Sequence, residues 1–195
     1  MSYVAVELGR KIFGSLKDKT TLLVGAGEMA ELAAQHLIDA GETRLLVANR
    51  TPERAAELAD RFGAEAVPFE GLDRHLGDAD VVLCSTGSDT YVVTRDAVAA
   101  ALEQRRNRPF CLIDISVPRQ IDPAAGDLDN VFLFDMDDLQ RVAESNLRER
   151  EREATVAETI VDDEVTHFYQ RLRASDIGPT VAELKERLNE VAQGE

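Results

Sequence analysis

Tryptophan is absent from the 195 residues, and aromatic residues make up only 5% of them. Stacking of bases or sugars on aromatic faces is thereby excluded as a main activity. Cysteine occurs twice, at Cys84 and Cys111, which is too few for a disulfide framework or a cysteine zinc site. His36, His75 and His167 are scattered, without acidic or cysteine partners at ligand spacing, so no metal is assigned. No apolar run approaches the ~18 residues a membrane helix needs. The N-terminal MSYVAVELGRK mixes acid and base and has no long apolar stretch, so it is not a signal peptide, and a cytoplasmic protein is the simplest reading. Basic residues are scarce as well: 22 Lys+Arg stand against 37 Asp+Glu, a net charge of -15. Such a balance disfavours both phosphate backbones and anionic membranes as partners. About half of the excess lies on the last third, where residues 135–195 hold 16 acidic and 8 basic side chains.

Apolar residues are plentiful, at 44%, and supply a core. The length suits one domain with a helical appendage. Residues 3–16 place Val4, Leu8, Ile12 and Phe13 on one helical face. A short strand, TTLLV, then runs into Gly25. From Gly27 to Ile38 the spacing is again helical, through Met29, Leu32, Ala33 and Leu37, with Gly41 as the stop. The unit repeats: a strand from Thr43 to Ala48, then a helix opened by Thr51-Pro52 and closed by Gly63. A weak strand follows at 65–69 and a short helix or turn at 71–77. Further strands are expected at 80–85, 110–115 and 131–134, with a helix from Thr94 to Arg105. This alternation predicts an α/β fold, a Rossmann-like doubly wound parallel sheet whose apolar strands are covered on both faces. The stretch Ser116 to Asn130 has two prolines and no clear helix, and a loop of that length in a compact domain is usually functional.

Beyond Asp137, apolar residues recur every three or four positions from Leu139 to Leu172 and predict one long helix. Its middle, RERERE, is charged all round, as for a solvated or bridging segment. Gly178-Pro179 is expected to end it, and residues 180–192 to form a second amphipathic helix. Those stripes require cover from a partner subunit or from residues not included here.

Gly25-Ala26-Gly27-Glu28-Met29-Ala30 fits G-x-G-x-x-A between a strand and a helix, the context that gives this pattern its meaning. The first glycine allows a tight turn, the second lets backbone approach a diphosphate, and Ala30 keeps helix and strand close. An NAD-specific site places Asp or Glu at the end of the second strand, about 20 residues on, against the ribose 2′-hydroxyl. This sequence has Asn49-Arg50-Thr51 there, with Arg54 on the same side. A guanidinium in place of a carboxylate points to the 2′-phosphate of NADP(H). Ser85-Thr86-Gly87 follows the fourth strand, beside the expected dinucleotide, where cofactor contact and ordinary turn chemistry fit equally well. Cys84 and Cys111 lie within apolar strands and read as small buried hydrophobes. Asp135, Asp137 and Asp138 read as helix-start caps. No nucleophile with an activating base is recognisable.

Taken together, SYVAVELGRKIFGSLKDKTTLLVGAGEMAELAAQHL, VANRTPERAAELADRFG, CSTGS, LIDISVPRQIDP and VFLFDMDDLQRVAESN resemble glutamyl-tRNA reductases over about Ser2 to Leu188. The GAGEMA, DISVPRQIDP and DMDDL runs carry most of that resemblance; shikimate dehydrogenases share the Ala48-Asn49-Arg50-Thr51 element but not the latter two. The resemblance implies reduction of glutamyl-tRNA by NADPH to glutamate-1-semialdehyde for tetrapyrrole synthesis. It implies a linker helix at 1–18, an NADPH-binding Rossmann domain at 19–136 and part of a helical homodimerisation region at 137–195. The catalytic cysteine and the tRNA contacts belong to an N-terminal domain that these residues do not include, so the chain alone is expected to be inactive. By position, Gly25 to Ala30 would hold the diphosphate and Asn49, Arg50, Thr51 and Arg54 the 2′-phosphate side. Ser85, Thr86 and Gly87 would flank the nicotinamide ribose, and Asp114, Ser116, Val117 and Pro118 would border the hydride-donating face. The rivals are a shikimate-dehydrogenase-like NADP-dependent oxidoreductase and a non-enzymatic NADPH-binding dimerisation module.

Overall fold

The computed structural model describes residues 2–39 and 43–193. Gly41, the expected stop of the second helix, lies outside them. The chain divides into two compact units, Met1–Glu144 and Ser145–Glu195.

The first unit contains α1 (Ser2–Phe13), β1 (Lys19–Val24), α2 (Glu28–Asp39), β2 (Thr43–Ala48), α3 (Pro52–Phe62), β3 (Glu65–Val67), α4 (Leu72–Leu76), β4 (Val81–Cys84), α5 (Arg95–Gln104), β5 (Phe110–Asp114) and β6 (Val131–Asp135), and it takes in the start of α6 (Met136–Gln193). All strand pairs are parallel, in the order β3-β2-β1-β4-β5-β6. This is the doubly wound arrangement expected from the alternation of strands and helices. Successive strand residues feed opposite faces. Leu23, Val47, Leu83 and Ile113 join α1, α2, α3 and Leu139 of α6 in one core. Leu22, Val24, Leu46, Val82 and Leu112 join α4, α5 and Ala125, in the segment between β5 and β6, in the other.

Most boundaries agree with the sequence within a residue or two, and the departures have physical reasons. Leu32 is 45% exposed, because α2 turns its small residues Ala30, Ala33 and Ala34 toward the sheet. That choice brings the helix close to β1. The loop after β5 is less irregular than expected: Pro123–Asp127 form a 3-10 turn, capped by the Asp122 carboxylate, which accepts from the Ala124 amide at 3.0 Å. Thr94 caps α5, its hydroxyl accepting from Ala97 N. Thr51 holds the extended N-cap conformation with Pro52 next to it, but makes no side-chain capping bond. The aspartates at 135 and 138 cap α6 reciprocally, each carboxylate accepting from the other's amide at 3.0 Å. The Asp138 amide, helped by Arg119, holds the Asp135 carboxyl below the usual range.

One polar cluster is buried at the opposite edge of the sheet. The Arg105 guanidinium donates to the Asp80 carboxylate at 2.7 Å, to the Pro109 carbonyl at 3.0 Å and to the Ala79 carbonyl. Its carbon lies 4.8 Å from the Phe110 ring centroid. The second Asp80 oxygen accepts from Thr20 N at 3.1 Å. In the sequence Arg105 stands only as a helix end.

The second unit consists of the remainder of α6. Gly178-Pro179 does not break it: the helix continues through Pro179 to Gln193, and no separate helix forms at 180–192. A proline removes one backbone hydrogen bond and crowds the preceding turn, at a cost of about 3 kcal/mol. Strong helix formers such as Glu183, Leu184, Lys185 and Glu186 follow and sustain the continuation. Leu147, Val156, Ile160, Val165, Phe168, Leu172, Leu184 and Leu188 are all exposed. No described helix is long and apolar enough to cross a membrane.

Candidate dinucleotide site

The carboxyl ends of the central strands are level. Val24 is in register with both Ala48 and Cys84, and Cys84 with Asp114. Gly25, Asn49, Ser85 and Ile115 therefore emerge side by side where the strand order reverses, which is where ligands bind in open α/β sheets.

Gly25 has φ +115, and its amide donates to the Ala48 carbonyl at 2.8 Å. A Cβ there would meet the Ser85 carbonyl oxygen at 2.3 Å. Gly27 differs: a Cβ on it would meet nothing within 4 Å, so the backbone is open to an approaching group. The first turn of α2, with Glu28, Met29 and Ala30, follows directly. Helix N-termini carry partial positive charge and favour phosphate. Glu28 is exposed, which leaves its carboxylate in water.

Asn49 and Arg50 follow β2. Asn49 Nδ2 donates to the Thr51 carbonyl at 3.0 Å, shaping the turn into α3. Arg50 is exposed and donates across the crevice to the Gly87 carbonyl. It also lines a cavity of about 420 Å³ with Phe69, Ser88 and Tyr91. Arg54 is exposed in the first turn of α3. The residues present thus fit a dinucleotide bearing a 2′-phosphate: an open glycine backbone, a helix N-terminus, and guanidinium where a carboxylate would exclude that phosphate.

On the far side of the crevice, Asp114 is 2% exposed. One of its oxygens accepts from Ser116 N at 3.0 Å, the other from Gln120 N at 2.7 Å and Ile121 N at 2.8 Å. The side chain thus shapes the loop through three backbone amides. Val117-Pro118 is a cis peptide at the loop tip, with Val117 82% exposed. Ser116 is buried, and its hydroxyl accepts from Thr86 N at 3.1 Å. The structure brings Gly25, Ser85, Thr86, Asp114 and Ser116 together and leaves Val117 and Pro118 at the exposed rim. It also reveals Gln120, fully buried and bonded to Thr86, which sequence reasoning missed. A signal was present: Asp114 ends an otherwise apolar strand, and a buried carboxylate there demands a ring of local donors.

Burial pushes the Cys84 thiol well above its ordinary value, with Asp114 adding to the effect, and pushes Cys111 up to about 12. Neither is expected to react with iodoacetamide at pH 8 in the folded chain, whereas both should be alkylated in urea. Mass spectrometry of tryptic peptides reads both states, and native labelling would contradict their packing as inert core residues.

The family model described as shikimate / quinate 5-dehydrogenase matches residues 7–142, and the one described as glutamyl-tRNAGlu reductase, dimerisation domain, matches residues 156–195. The glutamyl-tRNA reductase of Trichlorobacter lovleyi is 49% identical over 195 residues, which is 100% of this chain and 45% of that protein. The one from Solibacter usitatus is 46% identical over the same span, 46% of its length. The chain thus spans about half the length of the curated relatives it matches. Among solved structures, glutamyl-tRNA reductase from Methanopyrus kandleri aligns with a TM-score of 0.76 at 38% identity, over 98% of this chain and 50% of that one. The nucleotide binding domain of glutamyl-tRNA reductase from Thermoplasma volcanium aligns at 0.58 and 20% identity over 76% of this chain and 96% of that one, a likeness of fold.

Proposed function

We infer the function from one premise: the chain belongs to the shikimate / quinate 5-dehydrogenase family, and its C-terminal region matches the glutamyl-tRNAGlu reductase dimerisation domain. It is the NADPH-binding portion of a cytoplasmic glutamyl-tRNA reductase, which reduces glutamyl-tRNA to glutamate-1-semialdehyde in tetrapyrrole synthesis. Residues 19–136 form the cofactor domain, 1–18 its linker helix, and 137–195 a region that pairs with a second copy. The observation that carries the cofactor is the crevice at the β1/β4 reversal, with Gly27 open to approach and Arg50 where an NAD site has an acid.

NADPH supplies the hydride when bound. Gly25 to Ala30 receive its diphosphate at the α2 N-terminus. Asn49, Arg50, Thr51 and Arg54 take the 2′-phosphate side, and Ser85 to Gly87 flank the nicotinamide ribose. The Asp114-to-Pro118 loop walls the face from which hydride leaves. With both cysteines buried, these residues offer no thiol nucleophile, so the chain binds the donor without reducing glutamyl-tRNA by itself. Its charge of -15 also disfavours strong tRNA binding by these residues.

Fluorescence titration tests this. A charge-assisted bond from Arg50 to the 2′-phosphate is worth about 1.5–3 kcal/mol. NADPH should therefore bind on the order of 10–100-fold more tightly than NADH, and Arg50→Ala should remove most of the difference. Equal affinities in the unaltered chain would defeat the assignment. Light scattering tests the pairing, for which the exposed apolar residues of α6 are the expected contact. A dimer is expected, and a monomer at micromolar concentration would overturn it.

A further inference from the structure

We propose that Gln120 is a positioning residue for the nicotinamide half of the cofactor, an inference that rests on the NADPH reading above. The Gln120 side chain is fully buried in the loop between β5 and the 3-10 turn. Its Nε2 lies 2.8 Å from the Ser88 carbonyl, 3.1 Å from that of Pro118 and 3.3 Å from that of Arg119. Carbonyls only accept, so the amide nitrogen must face them and Oε1 must face the Thr86 hydroxyl, 3.1 Å away. Oε1 in turn only accepts, so Thr86 Oγ1 donates its single proton to Gln120.

This fixes what Thr86 has left to offer. Its amide donates to Ser116 Oγ and its hydroxyl proton is taken by Gln120. Only lone pairs remain, on the hydroxyl and on the carbonyl. Thr86 becomes an obligate acceptor at the crevice, matched to donors on the nicotinamide half, the ribose hydroxyls and the carboxamide NH₂. Without Gln120 the hydroxyl would rotate freely and present its proton as often as its lone pairs.

The same side chain ties two loops together. Ser88 belongs to the segment after β4, while Pro118 and Arg119 belong to the segment after β5. Gln120 itself is pinned at the backbone, its amide by Asp114 and its carbonyl by Val92 N and Val93 N at 2.7 and 3.0 Å. Thr86 presses on the glycine turn as well, its methyl 3.0 Å from where a Gly25 Cβ would sit. Gln120 thereby sets both the width of the groove and the polarity of one wall. Arg50 and the glycine turn, which serve the adenosine half and the diphosphate, make no contact with its side chain in these bonds.

Calorimetric titration of the whole chain separates this role from general bracing. The probes are NADPH and 2′,5′-ADP, which carries the adenosine and 2′-phosphate but no nicotinamide. Gln120→Leu should weaken NADPH on the order of tenfold, the loss of about one buried hydrogen bond, and leave 2′,5′-ADP within about twofold. Thr86→Val leaves the Gln120 Nε2 contacts in place and removes the link together with the hydroxyl that Gln120 orients, so it carries the test if Gln120→Leu does not fold; it should weaken NADPH at least as much and again spare 2′,5′-ADP. The double variant should be no weaker than Thr86→Val alone, because Gln120 acts on the cofactor through that hydroxyl. A parallel loss of 2′,5′-ADP, unchanged NADPH affinity, or additive losses would overturn the proposal. If the unaltered chain bound neither probe, the cofactor reading itself would fall, a result distinct from all of these.

Discussion

Replacing Arg105 with Leu should lower the stability of the first unit by on the order of 3–5 kcal/mol, the usual consequence of removing one partner of a buried ion pair. Arg105 is 2% exposed and Asp80 6%. The substitution would leave the Asp80 carboxylate with the Thr20 amide and, at 3.9 Å, the largely exposed Arg108 guanidinium. It would also strip the Ala79 and Pro109 carbonyls of a donor. Those carbonyls sit at the entry to β4 and β5, so the loss should be felt in the central strands. Amide exchange of β4 and β5 against urea checks this within the unit, undisturbed by α6. The Arg105→Leu/Asp80→Leu pair supplies the contrast: with no unpaired charge left, it should recover part of the loss. A single substitution costing under about 1 kcal/mol would mean that water reaches the pair.

The Arg105 cluster marks where sequence reasoning stops. Strand and helix order were legible because apolar periodicity is local, and the glycine pattern because its meaning depends only on the elements beside it. Arg50 was legible as a departure: a position that takes an acid in one cofactor class holds a base here. Buried polar residues carry no such local sign. Arg105 reads as one more helix-end cation and Gln120 as one more loop residue until the strands place them under carbonyls that need donors. Leu32 failed for a related reason, since α2 has two candidate faces and close approach to the sheet selects the alanine one. Pro179 departs from expectation because proline is a strong stop only as a statistical rule, and the good helix formers that follow it, Glu183 to Glu186, sustain the helix.

Substitutions at Gly25 and Gly27, two residues apart, should fail in opposite ways. Gly25→Ala should damage the fold: φ +115 is strained for any L side chain, and the new Cβ would lie 2.3 Å from the Ser85 carbonyl oxygen and 2.8 Å from its carbon. Neither side can retreat, because Gly25 N is bonded to Ala48 O and Ser85 N to Val24 O, each at 2.8 Å. Strain and overpacking together should cost on the order of 2–4 kcal/mol, visible as lower melting temperature even without cofactor. Gly27→Ala should leave the melting temperature nearly unchanged, because its Cβ meets nothing within 4 Å and its φ lies outside the glycine-only region. The same open space is where the diphosphate approaches, so the methyl should displace it from the α2 amides. Loss of a charge-assisted bond of about 1.5–3 kcal/mol corresponds to on the order of 10–100-fold weaker NADPH binding. Melting curves and NADPH titrations on both variants separate the roles. If Gly27→Ala binds NADPH as well as the unaltered chain, the diphosphate does not lie on this turn, and the crevice must hold its ligand by the Arg50 side alone.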